Sequence, residues 1–241
     1  MILLVTDDRE YVREPGEELH TDLGMLTVPE DVESGDTLET HLGTSFRVRE
    51  LRGPDLFAHL ERTGAPMMPR DIGLLVGHTG AAAGDRVLDA GTGTGVLSAY
   101  LGRLGADVIT YERSAEFAEV ARENMRVAGV DDRVEVRTGD ITDDLASLAA
   151  DEPVDLVTLD TEDAPQIVAA AADLLVPGGF LAGYSPFVEN ARATAGAAEA
   201  AGLTDVETVE TIQREMTFDD RGSRPSTKGV GHTGYLTFAR R

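Results

Sequence analysis

The sequence predicts an α/β chain: a mostly parallel sheet interleaved with helices, closed by an antiparallel C-terminal hairpin and preceded by a small β module. Three observations predict it. From Asp85, strand-like apolar runs alternate with helical ones, the pattern of a parallel sheet with helical crossovers. After Gly202 the alternation stops, and two β-rich segments, DVETVETIQREMTF and GYLTFARR, flank a loop with no helix between them, so they are expected to pair antiparallel. Residues 1–52 carry short apolar stretches (MILLV, GMLTV, SFRVREL) separated by Gly, Pro and acidic turns. They read as a small N-terminal β domain, with 53–241 as the larger unit.

Each element has its own signal. A helix from Pro54 (PDLFAHLERTG) connects the two parts, and another runs from Pro69 or Arg70 through His78, since proline suits a first helical turn. Strand DRVLDA gives way to a helix that begins near Thr94 and reaches Leu104. Strand DVITYE precedes a helix over 114–128, RVEVRTGD a short helix, and VDLVTLD a helix over 163–175 that Pro177, Gly178 and Gly179 end. Strand FLAGYSP leads into an alanine-rich helix, favoured by propensity, that stops at Gly202.

Composition narrows the classes. With 241 residues and 41% hydrophobic content, the chain suffices for one α/β domain and a small appendage. No apolar run approaches the ~20 residues that span a bilayer. The start MILLVTDDRE lacks the basic flank of a signal peptide, so a soluble cytoplasmic protein with no membrane partner is expected. The absence of cysteine excludes disulfides, thiolate metal sites and a cysteine nucleophile, and the five histidines show no ligand spacing, so no metal is expected. The formal charge is −23, and the 21 basic residues include a single lysine, Lys228. In salt near 1 M the Debye length falls to about 3 Å, so this acidity does not bar a nucleic acid partner. Local charge then counts. From Gln213 to Arg241 six bases, Arg224 and Lys228 among them, stand against three acids, and Arg47, Arg49 and Arg52 form a second cluster. For any single arginine, a solvated surface position is the ordinary explanation.

The run VLDAGTGTG, residues 87–95, carries most of the functional information. Gly91, Gly93 and Gly95 strip side chains where a ligand must approach backbone, and the helix that follows aims its N–H groups and positive dipole end at it. A dinucleotide fingerprint, G-x-G-x-x-G, would need glycine at position 96, which is Val96. The pattern is instead acid-x-Gly-x-Gly-x-Gly led by Asp89, the loop that class I methyltransferases wrap around S-adenosylmethionine. The cations of that molecule suit acidic surroundings better than a pyrophosphate does. A glycine-rich turn alone is weak evidence. Here acids also end three further strands: Glu112, placed to hold ribose hydroxyls, Asp140 and Asp160, all facing the crevice at the strand ends. Any one of them is explained as a helix N-cap; four together are not.

Beyond the turn and its acids, the chain resembles the archaeal and bacterial tRNA (adenine-N1)-methyltransferases that modify the T-loop. Three motifs carry the match: MPRD (68–71), VLDAGTGTGVLS at the turn, and VGHTGYLTFARR (230–241), with THLGTSF (40–46) resembling the family's small β domain. The charge balance resembles that of a halophilic archaeon. The resemblance implies a Rossmann-like class I methyltransferase with a seven-stranded sheet, S-adenosylmethionine as donor, tRNA as substrate, a homotetramer, and catalysis assisted by Asp160. On the same reading, Asp89 holds the methionine part of the cofactor together with the turn Gly91, Thr92, Gly93, Thr94 and Gly95, Glu112 its ribose and Asp140 its adenine amine. Met68, Arg70, Arg224, Lys228 and His232 are the candidate RNA contacts.

The chain departs from the family twice near the base: Met68 replaces the usual aromatic before Pro-Lys/Arg-Asp, and TEDAP follows Asp160 where Pro or Pro-Trp is common. A thioether touches a ring face more weakly than an aromatic does. Two rivals remain: a class I methyltransferase with another acceptor, of the isoaspartyl protein type, and a non-catalytic RNA-binding subunit. His232 reads as a brace for the last hairpin or a backbone contact, and His78 as part of a packing helix. If the acidity is a salt adaptation, melting temperature falls on dilution from molar to ~0.1 M salt; a melt that does not move with ionic strength contradicts this.

Overall fold

A computed structural model gives the architecture and describes residues 1–229 and 231–241. Val230, the first residue of the C-terminal motif, lies outside the described residues. The N-terminal part contains β1 (Ile2–Val5), β2 (Glu10–Arg13), β3 (Glu18–Thr21), β4 (Gly24–Thr27), β5 (Thr37–Glu39) and β6 (Ser45–Glu50). Four form an antiparallel sheet in the order β2-β1-β6-β5, while β3 and β4 pair as a hairpin. Alternation sets the faces: in β6, Phe46 and Val48 turn into a core with Leu4, Leu19 and Leu26, and Arg47 and Arg49 stay exposed. Leu3 and Leu51 instead join the large cluster of the rest of the chain, so the small sheet is seated on it.

The chain continues through α1 (Gly53–His59) and α2 (Pro69–Thr79), where Pro69 opens the helix and Gly80, at φ 71°, closes it. Next come β7 (Arg86–Ala90), α3 (Val96–Leu104), β8 (Asp107–Glu112), α4 (Ala115–Ala128), β9 (Val134–Thr138), α5 (Ile141–Ala150), β10 (Val154–Leu159), α6 (Ala164–Val168), α7 (Ala171–Leu174), β11 (Leu175–Ser185), α8 (Val188–Ala200), β12 (Thr204–Glu210), β13 (Met216–Asp219), β14 (Gly222–Pro225) and β15 (Tyr235–Arg240). The main sheet has seven strands in the order β12-β15-β11-β10-β7-β8-β9. β11-β10-β7-β8-β9 run parallel, and β15 is antiparallel to both β11 and β12. Its two buried faces hold the two larger clusters, around Leu101 and Met125 and around Val157 and Ile167. Strand order reverses at β7, with β8 on one side and β10 on the other, so the crevice beyond their carboxyl ends is where a ligand is expected.

Four expected boundaries shift. The connecting helix expected over 54–64 ends at His59, and the chain beyond it is irregular. Gly93 and Gly95 take φ of 52° and 81°, so α3 starts at Val96 instead of near Thr94. The helix expected over 163–175 is broken into α6 and α7, and Pro177-Gly178-Gly179 ends no helix. These residues form an irregularity inside β11, whose partners in β10 jump from Val154↔Leu175 to Leu156↔Phe180. The first C-terminal segment also splits. β12 pairs with β15 as expected, but Met216–Asp219 folds back on Gly222–Pro225. Gly222, at φ 124°, permits that tight reversal, and a local hairpin closes at lower entropic cost than a distant pairing.

Candidate functional site

The glycine turn lies at the carboxyl end of β7, against the end of β10. Gly91 has φ 92°, and a Cβ there would stand 2.0 Å from the backbone oxygen of Asp160. Any side chain is excluded both by conformation and by contact. Gly93 is different: a Cβ would meet nothing closer than 3.8 Å, so its bare backbone faces open space. That space is a cavity of about 340 Å³, walled by Gly91, Gly93, Glu112, Phe117, Ile141 and Asp160 among others. A smaller one of about 60 Å³ adjoins it, walled by Asp89, residues 91–97, Asp160 and residues 63–67.

Asp89 is buried. Its neighbours across the sheet are Thr158 on β10 and Thr110 on β8, in direct register. The Thr158 hydroxyl donates to Asp89 Oδ1 at 2.5 Å, and Thr110 and Ser98 donate to Oδ2 at 2.6 and 2.9 Å. Thr110 spends its proton on Asp89, so Thr92, 2.5 Å away, donates to Thr110 and ties the turn to the cluster. Burial pushes the Asp89 carboxyl up, and the three hydroxyls pull it back. Asp160 extends the same face of β10 two residues on. Among the described residues none donates a hydrogen bond to its carboxylate; loss of water and the nearby Asp89 push it up to about 7. Glu112 lies across the turn, accepting from the Gly93 N–H at 2.9 Å and the Ser114 N–H at 3.0 Å.

Asp140 takes the modest role that an N-cap offers. Its Oδ1 accepts from the Thr142 amide and hydroxyl, and Arg113 Nε sits 3.0 Å from Oδ2. Thr142 foremost, with Arg113 behind it, holds this carboxyl below the usual range. Its neighbours Gly139 and Ile141, not Asp140 itself, line the cavity. Arg113 also pairs with Asp163, so the two acids share one guanidinium.

The candidate RNA contacts divide. Met67 is buried and lines the smaller cavity, while Met68 caps α2. Arg70 is largely buried and donates to the Thr233 hydroxyl at 2.9 Å; Thr233 donates to the buried Asp71 at 2.8 Å. His232 places Nδ1 2.6 Å from Glu210 and Nε2 3.0 Å from the Pro186 carbonyl. Two acceptors, the Pro186 carbonyl first, favour the imidazolium and raise its pKa. His232 and Arg70 are thus braces that stitch the C-terminal loop to α2 and to the end of β11. Arg224 pairs with Asp219 on the exposed β13–β14 hairpin, and neither it nor Lys228 lines either of these two cavities. His78 stacks on Phe238, ring centroids 4.6 Å apart, and bonds to Glu207, as a packing residue does.

Several residues escaped the sequence reading. Thr63 and Gly64 wall both cavities from an irregular segment that no motif marks. Phe117 and Ile141 supply apolar walls. Tyr184, near the end of β11, lies close enough to Asp71 and Asp160 that burial and these acids hold its phenol protonated, up to about 12. Gly234 makes room for its ring, since a Cβ there would stand 2.5 Å from it. The signal for the Asp89 cluster was present: Thr110 and Thr158 each precede a strand-ending acid by two residues.

A turn of bare backbone, ringed by carboxylates and closed by apolar walls, fits a nucleoside that carries positive charge. Residues 54–223 match the family described as the GCD14 subunit of a tRNA methyltransferase complex. The tRNA (adenine(57)-N(1)/adenine(58)-N(1))-methyltransferase of Methanocaldococcus jannaschii is 33% identical over 96% of this chain and 91% of its own length. The chain belongs to this tRNA methyltransferase family. A solved S-adenosylmethionine-dependent O-methyltransferase from Thermotoga maritima superposes with a TM-score of 0.80 at 25% identity, covering 100% of this chain and 92% of that one. A protein-L-isoaspartate O-methyltransferase from Methanoculleus marisnigri is 35% identical, but over 47% of this chain and 49% of its own length. The isoaspartyl likeness is thus confined to part of the chain, whereas the tRNA-enzyme likeness runs from end to end.

Two outcomes follow from this geometry. Gly91→Ala is expected to lose on the order of 2 kcal/mol or more of stability in denaturant unfolding, because strain and the Asp160 contact add. For Asp160 the folded chain holds its proton more tightly than the unfolded chain, whose value is 3.8. The neutral acid therefore favours folding fully below pH ~4, and the benefit is lost as pH rises through about 7. At pH 8 Asp160→Asn, neutral at every pH, should then make the cofactor-free protein more stable by on the order of 2 kcal/mol. Equal stability of the two at pH 8 removes the claim that this carboxylate is held at a cost.

Proposed function

We infer that the chain is an S-adenosylmethionine-dependent methyltransferase acting on N1 of adenine in the T-loop of tRNA. The observation that carries this reading is the carboxyl of Asp160, without a hydrogen bond from any described residue, at the wall shared by two cavities beside the glycine turn. The family match and the end-to-end likeness to an adenine-N1 enzyme support the substrate.

When bound, the cofactor supplies an electrophilic methyl group on a sulfonium cation. Gly91 and Gly93 let it lie against backbone, and Asp89, fixed by its three hydroxyls behind the turn, contributes negative potential there. Glu112 is assigned to the ribose: each oxygen now accepts one backbone N–H and keeps a lone pair for a hydroxyl. Phe117 and Ile141 would flank the cofactor's adenine end, and Asp140, next to that wall, would accept from the amine through the oxygen that Arg113 now approaches.

Adenine N1 lies on the Watson–Crick edge, so a paired base must leave its stack before it reacts. N1 then gains a methyl group and a positive charge. Asp160 is placed to accept a hydrogen bond from the exocyclic N6 amine and to offset that charge, while Tyr184 stays neutral beside it as a hydroxyl donor. Little water competes, so the electrostatic effect is strong. Thr233, Arg70 and Asp71 hold the loop that backs Tyr184, which supports a place for the C-terminal motif on the base side of the site.

We further propose a division at 52/53 into a small β domain and a catalytic domain, a homotetramer, a salt-adapted cytoplasmic protein, and RNA contacts that include Arg224 and Lys228. Exposed Phe187, Ile212 and Phe218 offer apolar surface for subunit contacts. The intact turn and its acids favour an enzyme over a non-catalytic RNA-binding subunit, whose turn would be free to erode.

The test is methyl transfer from labelled cofactor to unmodified tRNA or to an isoaspartyl peptide, at molar and at low salt. Label is expected in tRNA as N1-methyladenosine. Asp160→Asn should lower kcat by about 10²–10⁴ with cofactor affinity little changed. Label in the peptide, or equal losses of turnover and affinity, contradicts the assignment.

A further inference from the structure

Residues 61–67 join α1 to α2 without regular structure, yet 63–67 wall the smaller cavity, and Thr63 and Gly64 also reach the larger one. Such a segment holds its place only if something ties it down. Among the described residues, its backbone is hydrogen-bonded at two points, Glu61 and Thr63. At Thr63 the N–H donates to Thr94 Oγ1 at 3.2 Å. At Glu61 both backbone groups meet one side chain, Asn124 of α4. The Asn124 Oδ1 accepts from the Glu61 N–H at 3.0 Å, and its Nδ2 donates to the Glu61 carbonyl at 2.9 Å and to the Thr94 carbonyl at 2.8 Å.

Asn124 is 2% exposed, and this pattern of one acceptor and two donors fixes which way its amide points. One buried amide therefore joins three parts: helix α4, the start of the 61–67 segment, and the glycine turn at Thr94. Asn124 lines neither cavity. It has no place in the chemistry, and losing it would take a partner from the buried Thr94 carbonyl and from the Glu61 N–H and carbonyl.

We propose that residues 61–67 are a cover that retains the cofactor, and that Asn124 is the positioning residue that latches it to the glycine turn. The proposal rests on reading these cavities as the S-adenosylmethionine site. Closing the latch forms the wall opposite Gly93, whose nearest side-chain neighbour is Thr63. Releasing it frees the segment at its α1 end, while Met67, buried at the other end, still anchors it. Cofactor exit is thus set by an amide that touches neither cofactor nor base.

The experiment uses the full chain. Dissociation of S-adenosylmethionine and of S-adenosylhomocysteine is followed by stopped flow, and limited trypsin digestion reports on the exposed Arg62 inside the segment. Asn124→Ala should speed dissociation of both about tenfold, the equivalent of one or two hydrogen bonds. It should also speed cleavage after Arg62 and weaken the protection that cofactor gives there. At saturating cofactor, kcat and the KM for tRNA should stay near wild type, a split that general loosening of the fold would not produce. Asn124→Asp keeps the acceptor for Glu61 but loses both donors, and it carries the comparison if the alanine variant does not fold. Folded variants with wild-type dissociation and cleavage rates overturn the latch. A wild-type chain that binds neither molecule overturns the reading of the cavities instead, and the two failures are told apart by that control.

Discussion

The structure depends on a buried carboxylate that three strands agree to hold. Asp89 sits on β7 with Thr110 and Thr158 beside it on β8 and β10, and their hydroxyls, with that of Ser98, satisfy it in a place water does not reach. The strand register decides this, because a shift by one residue would turn the threonines to the other face. With Asp89 fixed, Thr92 is tied through Thr110 and the glycine turn has one available path. That path brings Gly91 against the Asp160 carbonyl so closely that no other residue type is tolerated.

The same arrangement explains why Asp160 is reactive and not merely acidic. It ends the strand next to Asp89, is partly withdrawn from water at the cavity wall, and has none of the hydroxyl donors that Asp89 collects. One acid is satisfied and the other is left needing a positive partner. A cation in the adjacent cavity, whether on the donor or on the methylated base, meets that need, and two acids of different standing in one site are a recurrent basis for dividing roles. The chain's large negative charge supplies no such focus, since its surface acids are mostly solvated or paired with arginine, as Glu123 is with Arg126.

Much of this was legible in the sequence, for identifiable reasons. The mostly parallel sheet follows from strand-like runs alternating with helical ones, its seven strands from the family resemblance, and the turn from the acid-x-Gly-x-Gly-x-Gly run. The helix expected from Pro69 or Arg70 through His78 matches α2 to within a residue at each end, its start marked by the proline. Misreadings arose where two local signals compete. Pro177-Gly178-Gly179 carries a helix-stop signature yet forms a bulge inside a strand, because β10 offers hydrogen-bond partners on both sides of it. The segment after Glu210 had β character along its whole length, and only the glycine at 222 marked where it would fold on itself. Asp140 carries two signals at once: its place after β9 matches a cofactor acid, and its present contacts are those of a helix cap. Thr63, Tyr184 and Asn124 carried no motif, since their importance comes from contacts distant in the chain, such as the 31 residues between Thr63 and Thr94 and the 63 between Glu61 and Asn124, which no local pattern encodes.

The most direct test of the central claim is a crystal structure of the chain with S-adenosylhomocysteine. The account predicts electron density for the ligand along the backbone of residues 91–95, its ribose on Glu112 and its sulfur facing the side of the cavity where Asp160 stands. Density elsewhere, or a turn left vacant at saturating ligand, would contradict it.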